Sequence, residues 1–236
     1  MRVLAIFALI CAFFGFANAE ILVASGAGYK KPLEEVVKIY EKQSGKKVNR
    51  IYGNLAQIIE QAKQSGKIDA IFGDEKFIAK SKLEVEKPQL VGYGKLVVVG
   101  SKDSGFKSLD DLKNAEKIAL PDSKKAIYGV AGMEFLKNAN LYKDVESKLM
   151  FLATVPQVTT YLSEGNVDVG LINISDYLAL KDRLGAMIEV DSSLYTPILI
   201  SIAKLSESKS TEIAEFMAFL ESKEAVAIFK KYGLEH

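Results

Sequence analysis

From Ile21 almost to the C-terminus, short apolar runs alternate with stretches whose apolar residues recur every three or four positions. Ile21-Leu22-Val23-Ala24 reads as a buried strand, followed by the small-residue turn Ser25-Gly26-Ala27-Gly28. Pro32 stands where a first helical residue is expected, because its fixed φ suits a helix and its missing N–H is not needed there. Leu33, Val36, Val37 and Tyr40 then follow at helical spacing, and Gly45 supplies the stop. The same grammar predicts strands at 47–52, 68–72, 96–100, 117–120, 149–153, 167–172 and 197–203. Between them it predicts a helix carrying Leu55, Ile58, Ile59 and Ala62, closed by Ser65-Gly66, and further helices at 76–82, 127–138, 157–163 and 175–181. Ser108 with Asp111 has the form of a capping box opening one more short helix, and two helices, 210–220 and 223–232, end the chain.

Strands alternating with helices predict an α/β fold with mostly parallel sheets. An internal echo sharpens this. Ser65-Gly66-Lys67-Ile68-Asp69 before one apolar run parallels Glu164-Gly165-Asn166-Val167-Asp168 before another. Two similar halves predict two lobes with a cleft between them. Gly92-Tyr93-Gly94 before Leu96 and Pro197 before the last strand read as the crossovers. The expected lobes are therefore 20–93 plus 198–236, and 94–197.

Composition narrows the chemistry. Arg2, the apolar run 3–16 and Ala17-Asn18-Ala19 have the form of a cleaved export signal, so 1–19 is expected to be a leader and the mature chain to be periplasmic. Without those residues Lys+Arg falls from 31 to 30 against 30 Asp+Glu, a net charge near zero. Neutrality without a basic block argues against nucleic acid and anionic membranes as partners. The lone cysteine, Cys11, lies in the leader, and the lone histidine is His236. That inventory leaves no disulfide, thiolate or His-rich metal site, Cys nucleophile or Ser-His-Asp triad. Enzymes working with carboxylates, Lys or Ser–Lys pairs remain, and Ser25 near Lys30 has nothing beside it to orient the lysine. The expected protein is no enzyme and needs no cofactor.

Several predicted strands end in a small loop followed by a helix: 25–28, Gly53-Asn54, 121–128, 154–156 and 173–175. Ligands of open α/β sheets bind beyond the carboxyl ends of strands, and helix starts present unpaired N–H groups. Two facing lobes would aim several such starts at one small anion. Lys30-Lys31 and Lys124-Lys125 read first as solvated surface, with positive potential for the cleft as the alternative. Asp69 and Asp168 read first as strand-head loop bonds and second as a carboxylate pair. Tyr128, Tyr161, Tyr177 and Tyr195 read as core or rim aromatics, with stacking on an organic ligand as the alternative.

With those residues in view, the chain resembles the periplasmic molybdate-binding proteins of ABC importers, within the type II solute-binding class. The resemblance runs collinearly through 21–28, 53–58, Ile68-Asp69-Ala70-Ile71-Phe72, Leu96-Val97-Val98-Val99, 118–122, 168–172 with Asp176, and 228–234. It implies a two-lobed α/β fold that captures a tetrahedral oxyanion, molybdate or tungstate, and presents it to a membrane permease. It also implies a ligand set of Ser25, Gly26, Ala27, Gly28, Asn54, Tyr128, Val155 and Asn173, with metal present only as its oxyanion. In that set Ser25 and Asn54 supply hydroxyl and amide donors, while Gly28, Tyr128 and Val155 act through their backbone. The ligand loops depart from the family pattern. Gly28 stands where family members typically place Ser, and the usually Ser-rich second loop is shortened to Gly53-Asn54. Ile127-Tyr128-Gly129 replaces a Pro-Ala-Gly turn, and Asn173 replaces a Tyr hydroxyl. Those departures keep two alternatives open: another small anion, such as a phosphorylated or carboxylated metabolite, or an exported antigen or adhesin with a vestigial cleft.

Overall fold

Nearly every residue of the first strand, β1 (Ile21–Gly26), is buried, because β1 has a strand on each side. The computed structural model describes residues 20–235, so the leader expected at 1–19 lies outside the described residues. After β1 come α1 (Lys30–Ser44), β2 (Val48–Gly53), α2 (Leu55–Ser65), β3 (Ala70–Asp74), α3 (Glu75–Lys80) and β4 (Gln89–Gly94). The middle of the chain forms β5 (Leu96–Gly100), β6 (Ile118–Pro121), α4 (Ile127–Asn138), α5 (Tyr142–Val145), β7 (Leu149–Leu152) and α6 (Val155–Ser163). It continues through β8 (Val169–Asn173), α7 (Ile174–Leu180) and β9 (Met187–Glu189). β10 (Ile198–Lys204), α8 (Ile213–Phe219) and α9 (Lys223–Lys231) complete it.

The strands make two five-stranded sheets, β2-β1-β3-β10-β4 and β7-β6-β8-β5-β9. In the first, only β10 runs against its neighbours; in the second, only β5 does. Each sheet is thus mostly parallel and flanked by helices, giving two α/β lobes. Their strand orders correspond one to one, with β6, β7 and β8 in the places of β1, β2 and β3. The echo read from the sequence falls on equivalent positions. Gly66 and Gly165 both take the left-handed conformation, with φ of +57° and +71°. Asp69 accepts from the Leu22 N–H at 2.8 Å, and Asp168 accepts from the Glu116 and Lys117 N–H groups at 2.7 and 2.9 Å. Each carboxylate therefore ties a strand head to the strand beside it.

Several boundaries differ from the sequence reading. α1 begins two residues before Pro32, after a 3-10 turn at Ala27–Tyr29, so Pro32 falls inside the first turn, where no N–H partner is lost. Gly73 does not stop β3. β10 pairs alongside it through Asp74, and the Leu55 side chain lies 2.8 Å from where a Cβ on Gly73 would stand. Gly92-Tyr93-Gly94 is the end of a strand, pairing with Ile200, Leu199 and Ile198, so Lys95 alone separates β4 from β5. β4 and β9 have little local strand signal; their pairing with β10 and β5 makes them strands.

Candidate functional site

Four helix starts meet between the lobes around a small cleft. Gly26, Ala27, Gly28 and Tyr29 line it from the loop after β1, and Gly53, Asn54 and Leu55 from the loop after β2. The equivalent loops of the other lobe contribute Ala126, Ile127 and Tyr128 after β6, and Thr154 and Val155 after β7. The four loops are therefore two symmetry-like pairs. Among the described residues lining it, none is Lys, Arg, His, Asp or Glu. Polarity comes instead from main-chain N–H groups at helix starts and from a few neutral side chains. Each helix start carries roughly half a positive charge, which favours an anion without any cation.

Each start is built locally. Asn54 is extended (φ −72°, ψ 145°) and its Oδ1 accepts from the Gln57 N–H at 3.0 Å, capping α2. The oxygen is thereby committed, and what Asn54 offers the cleft is its amide N–H pair. The Asp122 carboxylate orders the third loop by accepting from the Lys124 and Lys125 N–H groups at 2.8 and 2.9 Å, which holds its pKa below the usual range. Ile127 and Tyr128 then open α4. Thr154 is extended (φ −142°, ψ 159°), and its side chain does not cap α6. α6 starts at Val155 with Pro156 in its first turn, which makes the Val155 N–H a first-position donor.

Of the residues expected at the site, Gly26, Ala27, Gly28, Asn54, Tyr128 and Val155 come together in this cleft. Ser25 and Asn173 do not line it. Ser25 is fully buried in β1 and its hydroxyl donates to the Gly26 carbonyl at 3.2 Å. Asn173 ends β8, and its Nδ2 donates to the Gly28 carbonyl at 2.9 Å, leaving its buried Oδ1 without a partner. The set expected from the sequence left out six liners: Tyr29, Gly53, Leu55, Ala126, Ile127 and Thr154. Thr154 carried a signal, being a Thr directly before a Val-Pro helix start; Tyr29 and Ile127 carried none beyond adjacency. The lysine pairs stay off the cleft wall. Lys30 lies 5.6 Å over the Tyr52 ring, and Lys125 meets the other lobe through its carbonyl, which accepts from the Ala56 N–H at 3.3 Å.

Removing the cap should separate two roles of Asn54. Asn54→Ala is expected to cost about 1 kcal/mol of stability, a fall of about 2–4 °C in Tm for a chain of this size. Ligand affinity should fall as well. A fall in Tm with unchanged affinity would mean that Asn54 only caps α2.

Behind Val155 lies a buried carboxyl. Asp176 of α7 is 6 % exposed and bonded to the Thr159 hydroxyl, which is also 3.1 Å from the Val155 carbonyl. Burial pushes the Asp176 pKa up, against the opposing pull of the Thr159 bond and Lys31. A carboxyl raised in the folded state is neutral there at pH values where the unfolded chain is already ionised. Its penalty is absent below the unfolded carboxylate range and grows as pH rises through the folded value. Asp176→Asn should therefore melt no lower than the wild type at pH 8, and its advantage should shrink toward pH 4. A variant that loses stability relative to wild type as pH rises would show the carboxylate to be stabilising.

Two α/β lobes closing on a small cleft floored by helix starts define a two-lobed solute-binding protein. The chain belongs to the family of bacterial extracellular solute-binding proteins, whose model matches residues 21–235. A Bacillus subtilis protein bearing the name of an ABC transporter substrate-binding lipoprotein is 30 % identical over 229 residues, covering 92 % of this chain and 86 % of its own. The molybdate-binding protein of Rhodobacter capsulatus is 26 % identical over 230 residues, 92 % of this chain and 88 % of its own. The periplasmic molybdate-binding protein of Azotobacter vinelandii shares the fold with a TM-score of 0.83 at 21 % identity, over 92 % of this chain and 99 % of that one. Among the described residues no helix is long and apolar enough to cross a membrane.

Proposed function

We propose that this protein captures a tetrahedral oxyanion, molybdate or tungstate, in the periplasm and delivers it to the membrane permease of an ABC importer. The observation that carries the reading is the cleft lining: four helix starts, neutral side chains and no formal charge. A divalent tetrahedral anion carries only acceptors, and convergent N–H groups offer only donors. Gly26, Ala27, Gly28, Ile127, Tyr128 and Val155 serve through their main chain, and Asn54 and Thr154 add an amide and a hydroxyl. Ser25 and Asn173 act from one layer behind, holding the first loop in place. The names of the molybdate-binding relatives support the choice of anion. Binding alone satisfies this role, so no catalytic group is assigned.

Closure over the anion removes its charge from water and is supported by contacts already spanning the lobes, Asn173 to Gly28 and Ala56 to Lys125. Calorimetric titration is the test. Molybdate and tungstate should bind at submillimolar concentration, with sulfate and phosphate much weaker. A rigid cage selects size, and protonated phosphate brings a donor that finds no acceptor there. Binding of an organic anion with no response to either metal oxyanion would overturn the assignment.

A further inference from the structure

Tyr29 and Tyr128 come from equivalent loops of opposite lobes and meet at the floor of the cleft. They are 1 % and 2 % exposed, their ring centroids are 6.3 Å apart and their hydroxyl oxygens are 2.6 Å apart. Burial raises the pKa of both phenols, so both stay protonated and one donates to the other. The pair is wedged from behind. A Cβ on Gly94 would overlap the Tyr128 hydroxyl and stand 2.9 Å from both the Tyr29 hydroxyl and Ile198 Cγ2. On its other flank the Tyr29 ring packs edge-on against Phe72, with centroids 5.9 Å apart.

A second opening lies on the far side of Ile127. It is bounded by Asp74, Phe77, Ile127, Pro197 and Ile198. Ile127 lines both spaces, and Ile198 lines the rear one while lying beside the tyrosine hydroxyls. We propose that the Tyr29–Tyr128 pair is the size-determining partition of the site, confining it to an anion with no organic tail. Tyr128 is a positioning and specificity residue through its side chain, separately from its main-chain N–H. This deepens the oxyanion reading and rests on it. Carbon carried by the anion and directed to the floor of the cleft would meet these rings.

The test uses the full mature chain, molybdate, and L-phospholactate as a phosphate monoester bearing a three-carbon acid. Tyr128→Ala removes the ring and keeps the N–H. Its affinity for phospholactate relative to molybdate should rise at least tenfold over wild type. Tyr128→Phe keeps the ring without the hydroxyl and should retain the wild-type ratio, which a purely structural hydroxyl bond would not predict for one variant and not the other. Tyr128→Leu, shorter but apolar, should shift the ratio in the same direction as alanine, and it stands in if the alanine variant does not fold. An unchanged ratio in both the alanine and leucine variants overturns the partition. The two readings fail separately. If wild type binds neither metal oxyanion and Tyr128→Ala gains phospholactate, the oxyanion assignment falls and the partition stands. If wild type already binds phospholactate as tightly as molybdate, the partition falls whatever the variants do.

Discussion

Replacing Val155 by proline is expected to weaken molybdate binding about tenfold to a hundredfold while leaving the unliganded fold in place. Val155 is the first residue of α6, where a helix makes no use of the N–H and proline is favoured. Thr154 before it is already extended, the conformation a following proline demands. The substitution therefore subtracts one donor from the cleft and little else. A hydrogen bond to a charged group is worth about 1.5–3 kcal/mol, and each 1.4 kcal/mol is about a factor of ten in Kd. Val155→Ala shortens the side chain and keeps the N–H, so it should bind within about threefold of wild type. The pair of variants, titrated together and melted without ligand, isolates the backbone contribution. Equal affinity for the proline variant and wild type would remove Val155 from the site.

The largest stability effect is expected at Gly129, where alanine should cost about 3 kcal/mol, at the upper end for forced overpacking. For a chain of this size that is about 6–12 °C in Tm. The backbone at Gly129 is helical, so the requirement is space rather than conformation. A Cβ there would overlap the carbonyl oxygens of Pro121 and Asp122, which are main chain and cannot swing aside. Those carbonyls belong to the loop that aims Ile127 and Tyr128 at the cleft, so the loss should extend to binding. Gly132, one turn later, is the control. Its Cβ would come 3.1 Å from the Leu171 side chain, which can give way, and alanine there should change Tm by no more than a few degrees. Similar losses at both positions would mean that helix propensity, not the loop contact, is limiting.

The two positions illustrate how much of the site was legible before the fold. That Ala27-Gly28, Asn54 and Val155 lie at strand ends before helices follows from local grammar, because a turn of small residues and a capping residue are short-range events. The start of α6 was less legible: Pro156 reads as a turn residue, and only the extended Thr154 shows that the helix already includes Val155. The hydrogen-bond partners of Ser25 and Asn173 were illegible. Both residues read as ligand donors; the fold buries Ser25 in β1 with its hydroxyl donating to the Gly26 carbonyl, and sets the Asn173 amide on the Gly28 carbonyl, 145 residues away in sequence.

By itself the sequence determined the α/β alternation, the two similar halves and the loops that start helices. These depend on periodicity and caps, which act over a few residues. Tertiary structure alone decided that β4 and β9 are strands and that Tyr29 meets Tyr128 at the floor between the lobes. Each of those outcomes joins residues far apart in the chain, and no local preference of either partner encodes the distance at which they meet.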